Sequence, residues 1–168
     1  YGFLTLPEGD GPCPGVILRH GSEGCEPIFY LRYAELLKKQ GIASFLFSPD
    51  YLHALQASGG NQSSHGGSFS TSRNQMSVPM EQTIFATFGA AEILASHPRI
   101  QGQKIGLMGW SRGGIDVLDC LSQQHQKYLN PSVRFSAGIS FYPFPIFHEP
   151  DTLTAPLLVL LGQEDNYT

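Results

Sequence analysis

The stretch that most constrains the fold is residues 105–114, Ile-Gly-Leu-Met-Gly-Trp-Ser-Arg-Gly-Gly. An apolar run with strand character ends at Gly109, Ser111 follows, and a series compatible with a helix begins at once. Glycines two positions before and after a central serine let a strand and a helix approach closely around a sharp turn, which pushes the hydroxyl out above the sheet. The pattern therefore predicts a G-x-S-x-G nucleophile elbow with Ser111 as the nucleophile. A plain glycine-flanked turn is the alternative.

Two backbone N–H groups are predicted to form an oxyanion hole beside this serine. The first turn of a helix has unpartnered N–H groups at the positive end of the helix dipole, so the N–H of Arg112 is one candidate. The second candidate lies in an early loop, which follows the apolar run 15–19 and has the sequence His20-Gly21-Ser22. In enzymes with such an elbow, a His-Gly loop after an early strand supplies the other donor, and we assign it to Ser22. The alternative is a tight loop with no role in binding.

Composition excludes several classes of protein. The 168 residues are 41% hydrophobic and 14% charged, which suits one globular core. The net charge of −4 offers no basic surface for nucleic acid, and no apolar run approaches the roughly 18 residues that span a membrane. Three cysteines lack the spacing of a zinc site or a disulfide framework, so no metal is expected. The absence of a signal pattern favours the cytoplasm, although a removed N-terminal signal stays open because the chain does not begin with Met.

Hydrophobic periodicity predicts alternating strands and helices. Residues 1–6 are expected to form a hairpin arm, and the strand–helix–strand order of residues 15–47 predicts a parallel pair joined by a right-handed crossover. The fold class is therefore α/β, a mostly parallel sheet flanked by helices on both faces, in a single domain spanning residues 1–168. The remaining predicted elements are helices 28–40, 80–97 and 113–128 and strands 42–47, 104–108, 136–142 and 156–161.

Two loops at predicted strand ends are candidates for the substrate pocket. Residues 56–75 are dominated by Gly, Ser, Asn and Gln, and they form either a loop covering the substrate or a passive excursion. The aromatic loop 143–147 follows a strand, and Tyr142 and Phe144 are assigned to the pocket wall, with core packing as the alternative.

A carboxylate in the loop after a late strand is expected to orient the catalytic histidine. In chains with this elbow the triad follows the order Ser, Asp, His, and the acid holds the imidazole in the correct tautomer. Asp165 follows the predicted strand 156–161 and is our choice, with Glu164 as the neighbour that spacing alone leaves open.

These motifs together resemble the α/β-hydrolase superfamily, and most closely the dienelactone hydrolase family. The resemblance implies a parallel sheet, no cofactor, and hydrolysis of a small ester or lactone through an acyl-enzyme. Family members often have cysteine at the elbow, whereas this chain has Ser111, so a general carboxylic ester hydrolase is the expected activity. The residues that carry the resemblance are 16–24, Gly109-Trp110-Ser111-Arg112-Gly113-Gly114, Phe141-Tyr142-Pro143 and 155–165.

The resemblance also implies a catalytic histidine after Asp165, but all six histidines precede it. His20 is therefore counted among the substrate-binding residues as a positioning residue, and His148 is the alternative that approaches the site. We expect the segment to be a fragment that lacks a final helix and a histidine loop. The competing functions are a non-catalytic binding module and acyltransferase or peptidase chemistry, and a homodimer is left open.

Overall fold

The computed structural model describes residues 2–22, 24–25, 27–48, 79–129, 131–143 and 152–165. Strands and helices alternate along most of this part of the chain. In order they are β1 (Gly2–Thr5), β2 (Cys13–Arg19), α1 (Pro27–Lys39), β3 (Ala43–Phe47), α2 (Met80–Ala95), β4 (Ile100–Trp110), α3 (Arg112–Leu121), α4 (Gln123–Leu129), β5 (Ala137–Phe141) and β6 (Leu157–Leu160). No helix among these residues is long and apolar enough to cross a membrane.

The strands form one sheet in the order β1-β3-β2-β4-β5-β6. Strands β2 to β6 pair in parallel, and β1 pairs antiparallel with β3. The prediction of a mostly parallel sheet is confirmed. The prediction of a hairpin arm over residues 1–6 is wrong, because both sides of β2 are taken by β3 and β4, and β1 pairs with the outer edge of β3 instead.

Helices cover both faces of the sheet, as predicted. Successive side chains of a strand point to opposite faces. Ile17 therefore packs in a cluster with Phe88 of α2 and Val117 of α3. The next residue, Leu18, packs in a second cluster with Tyr30 of α1. The sheet thus lies between α1 on one side and α2 with α3 on the other.

The predicted single helix 113–128 is two helices. Ser122 separates α3 from α4 and has an extended ψ of 130°. It forms an isolated antiparallel bridge with Leu153, and the N–H of Gln123 donates to the carbonyl of Thr152 at 2.9 Å. The break results from pairing with a segment about 30 residues away in the chain, which the helical periodicity does not reveal.

Candidate active site

Ser111 lies in the turn between β4 and α3 with a strained backbone. Its φ of 52° is in a region that residues with a side chain rarely adopt, and its ψ is −118°. The Ser111 N–H donates to the carbonyl of Phe141 at 2.9 Å, which ties the turn to the end of β5. The hydroxyl makes no capping bond to the helix that follows. The turn therefore holds Ser111 at the carboxyl edge of the sheet without committing its side chain to the helix.

Three glycines around Ser111 sit where no Cβ would fit. A Cβ on Gly109 would lie 2.9 Å from the nitrogen of Gly114. One on Gly113 would lie 2.6 Å from the carbonyl oxygen of His20, and one on Gly114 would lie 2.7 Å from Ser140 Oγ. Real Cβ atoms essentially never approach other atoms this closely. The absence of these Cβ atoms lets the turn pack against the end of β5 and against the start of the loop after β2.

The described residues of that loop, 20–22 and 24, are held by a hydrogen bond to α1 and by one within the loop. The Gly21 N–H donates to the Tyr30 hydroxyl at 3.0 Å, and the Gly24 N–H donates to the Gly21 carbonyl at 3.2 Å. The Ser22 N–H takes part in neither bond, and Arg112 begins the helix that packs against this loop. The oxyanion roles of Ser22 and Arg112 stay predictions, and the structure places both residues at the same edge of the sheet.

His20 is 3% exposed, and both of its ring nitrogens have partners. Nδ1 lies 2.8 Å from the Gly21 carbonyl, and Nε2 lies 3.2 Å from Ser48 Oγ. Because a carbonyl only accepts, Nδ1 carries the hydrogen and Nε2 accepts from the serine hydroxyl. Burial, followed by the charge of Arg19, lowers the pKa of His20 to about 4. The imidazole is neutral at physiological pH and its Nδ1–H is bonded to the loop backbone, while its role towards a substrate stays a prediction.

A buried ion pair lies directly below the loop and the turn. Arg19 Nε and Nη2 donate to one carboxylate oxygen of Asp116 at 3.0 and 2.5 Å. The Thr83 hydroxyl lies 2.8 Å from the other oxygen and shares its hydrogen with the Met80 carbonyl, which is also 2.8 Å away. The guanidinium carbon is 4.8 Å from the centre of the Phe47 ring. Sequence reasoning missed this pair. The sequence signal was that Arg19 lies at a core position of an apolar strand and Asp116 lies at a core position on the apolar face of a helix.

Trp110, the residue before Ser111, supports the turn from the other face of the sheet. Its ring stacks on Phe141 with centroids 5.1 Å apart and an interplanar angle of 3°. Tyr30 and Tyr33 of α1 pack against it at 5.1 and 4.6 Å. Aromatic pairs with these separations add to the energy of burial, so the residue before Ser111 is rigidly held.

The other predicted site residues are placed as follows. Tyr142 directly follows β5 at the same edge with a φ of 35°, and its N–H donates to the Leu160 carbonyl at 2.7 Å. Phe144 lies outside the described residues. Asp165 follows β6 in a turn where its N–H donates to the Gly162 carbonyl at 3.3 Å. Since β5 separates β4 from β6, the strands leading to Ser111 and Asp165 are about 10 Å apart, enough for an imidazole between them.

Among the described histidines, only His20 lies at this edge. His97 precedes β4 at the opposite edge, where its Nδ1 accepts from the Arg99 N–H at 3.2 Å. His125 belongs to α4, beyond the far end of the 10-residue α3, which is about 15 Å long. His53, His65 and His148 lie outside the described residues. No group of three or more metal-ligating side chains is assembled within the part of the chain that the structure describes.

The backbone is similar to solved hydrolase structures. No family model matches the sequence, and no curated protein matches it significantly. The structure m3DLH superposes with a TM-score of 0.68 at 19% identity, covering 99% of this chain and 65% of that one. A dienelactone hydrolase-like promiscuous phosphotriesterase from metagenomic libraries gives 0.61 at 18% identity, covering 99% and 64%. The α/β hydrolase GrgF from Penicillium sp. sh18 gives 0.58 at 19% identity, covering 85% of this chain and 41% of its own. The chain thus spans less than two thirds of the length of each.

Proposed function

The chain has the α/β-hydrolase fold, and from that premise we propose that it is a serine hydrolase that cleaves a small carboxylic ester or lactone. Ser111 Oγ attacks the acyl carbon, and the N–H groups of Arg112 and Ser22 stabilise the oxyanion. Asp165 orients a histidine that follows it in the chain, in the order that this fold uses. That histidine takes the proton of Ser111, passes it to the leaving alcohol, and then activates the water that releases the acid.

The observation that carries the proposal is the backbone of Ser111. Holding a residue with a side chain at a φ of 52° costs of the order of 1–3 kcal/mol, and such strain is found mostly at functional sites. Glycine at this position would adopt the same turn without that cost. A serine that serves only the turn has no reason to be there, whereas a nucleophile needs both the hydroxyl and the exposed position.

The electrostatic setting supports the same role. Ser111 immediately precedes α3, so a negative oxygen formed on the substrate lies near the positive end of the helix dipole. A serine hydroxyl without a base is a poor nucleophile, so the proposal requires the histidine as well as the turn.

The test uses the full-length protein with p-nitrophenyl acetate as substrate. Ser111→Ala is expected to lower kcat by about 10⁴-fold or more, because the residual rate comes only from the oxyanion hole and binding. Ser96→Ala is the matched control, since the Ser96 hydroxyl donates to the Ile93 carbonyl at the exposed end of α2. Its kcat is expected to equal that of the wild type.

A fluorophosphonate probe gives an independent reading of the same role. The probe is expected to label the Ser111 peptide of the wild type and to leave the Ser111→Ala variant unlabelled. Equal ester turnover by the wild type and Ser111→Ala refutes the nucleophile. Cleavage of a phosphotriester but not of a carboxylic ester, with the same dependence on Ser111, keeps the nucleophile and replaces the substrate class.

A further inference from the structure

The Arg19–Asp116 ion pair is not explained by stability. Both side chains are almost completely buried, at 2% and 1% exposure. Removing two such charges from water is expensive, and replacing a buried ion pair with apolar side chains of similar volume is often neutral or stabilising. The third nitrogen of the guanidinium, Nη1, has no hydrogen-bond partner within the described part of the chain. The pair is therefore not the most stable way to fill this space.

The position of the pair in the fold suggests what it does instead. Arg19 is the last residue of β2, three residues before Ser22 in the loop that follows. Asp116 lies on α3, five residues after Ser111 and four after Arg112. The pair thus joins the two elements that hold the proposed oxyanion donors. It does so beside the contact between Gly113 and the His20 carbonyl.

The contacts of the pair restrict movement in several directions. Two N–H groups of Arg19 meet one oxygen of Asp116, while the Thr83 hydroxyl of α2 meets the other. The Phe47 ring packs against the guanidinium carbon at 4.8 Å. Hydrogen bonds to charged groups are directional, whereas two apolar side chains can slide over one another without breaking a bond. This arrangement holds β2 and α3 in one register.

We propose that Arg19 and Asp116 form a positioning pair that sets the spacing between the Ser22 and Arg112 N–H groups. The pair acts through the backbone and touches no reacting atom, and its catalytic consequence rests on the hydrolase function proposed above. A displacement of about 1 Å in such a site can lower the rate by about 100-fold. The pair therefore affects transition-state stabilisation far more than it affects folding.

The decisive variant replaces both members, Arg19→Met with Asp116→Leu, in the full-length protein. Its urea midpoint is expected to equal or exceed that of the wild type. Its kcat for p-nitrophenyl acetate is expected to fall between about 10-fold and 100-fold with KM unchanged. A purely structural role would lower the midpoint and leave the kcat of the folded protein intact. A folded double variant with wild-type kcat overturns the proposal.

The single variants keep the proposal testable if the double variant does not fold. Asp116→Asn preserves the shape of the side chain and weakens the pairing, so kcat is expected to fall without a change in KM. Arg19→Lys keeps the charge but presents a single ammonium in place of the fork, and kcat is expected to stay low. Wild-type kcat in both singles overturns the proposal.

A readout without substrate separates this proposal from the proposed function. Amide hydrogen exchange is expected to accelerate in peptides covering residues 19–22 and 111–116 of the double variant, or of Asp116→Asn if the double variant does not fold. It is expected to stay unchanged in residues 137–141 of β5. Unchanged exchange in both site peptides overturns the positioning role whether or not the protein hydrolyses esters. If the wild type lacks esterase activity but the variant shows the accelerated exchange, only the proposed activity is refuted.

Discussion

Protonation of His20 is expected to destabilise the folded chain in mild acid. The imidazole is 3% exposed, its Nδ1–H donates to the Gly21 carbonyl, and its Nε2 accepts from Ser48. A proton on Nε2 requires the Ser48 hydroxyl to turn from donor to acceptor, and it adds a buried positive charge beside Arg19. These effects account for the direction of the change, since burial and Arg19 are the main causes that lower the pKa of His20.

The magnitude follows from the two protonation states. The pKa of His20 is about 4 in the folded chain and 6.5 as the reference value for the unfolded chain. Between these values the unfolded chain binds the proton and the folded chain does not, so stability rises with pH. The contribution is complete above pH 6.5 and is lost as the pH falls to 4. The two pKa values differ by about 2.5, which corresponds to about 3 kcal/mol in total.

The assay compares urea unfolding at pH 7 and pH 4.5 for the wild type and His20→Gln. Glutamine keeps a donor and an acceptor but does not titrate in this range. The free energy of unfolding of the wild type is expected to fall by about 2.5 kcal/mol more than that of the variant over this interval. The carboxylates titrate in both proteins, so their effect cancels in the comparison. Equal losses in the two proteins would refute the burial of a neutral imidazole.

Two further predictions test the packing around the elbow and in the core. Gly113→Ala is expected to destabilise the folded chain by about 1–3 kcal/mol and to lower activity, because its Cβ would meet the His20 carbonyl. Gly89→Ala, in open space on α2, is expected to stabilise the folded chain by about 1 kcal/mol. Denaturant midpoints of the two variants measure these effects, and equal shifts would contradict the prediction. All three cysteines are buried, and burial raises the pKa of the Cys120 thiol. Iodoacetamide is therefore expected to alkylate them only after unfolding. Peptide mass spectrometry tests this, and alkylation of the Cys120 peptide in the native protein would contradict it.

Most elements of the fold were predictable from local patterns, with boundaries shifted by a few residues. The glycine end of α1 shows why such predictions succeed. Gly41 has a φ of 73°, its N–H donates to the Lys38 carbonyl at 3.0 Å, and the Ile42 N–H donates to the Leu37 carbonyl at 3.0 Å. This termination depends on one residue that tolerates a left-handed backbone, and its position can be read directly from the chain.

The two failed predictions share a physical cause. The pairing partner of β1 and the break at Ser122 are both set by segments distant in the chain, β3 in one case and residues 152–154 in the other. The periodicity of a stretch describes which face it buries. It carries no information about which strand pairs with its edge or which distant segment holds one of its residues in an extended conformation.

The elbow could be read from the sequence alone, because the close approach of Gly109 to Gly113 and Gly114 is a steric condition that acts within six residues of the chain. The surroundings of Ser111 depend instead on contacts between elements that are distant in the chain. The neutral state of His20 and the Arg19–Asp116 pair depend on burial and on partners from separate elements, and neither quantity exists until the sheet is assembled. Local geometry can therefore be read from residue types and spacing, whereas electrostatics depends on the distances that folding creates.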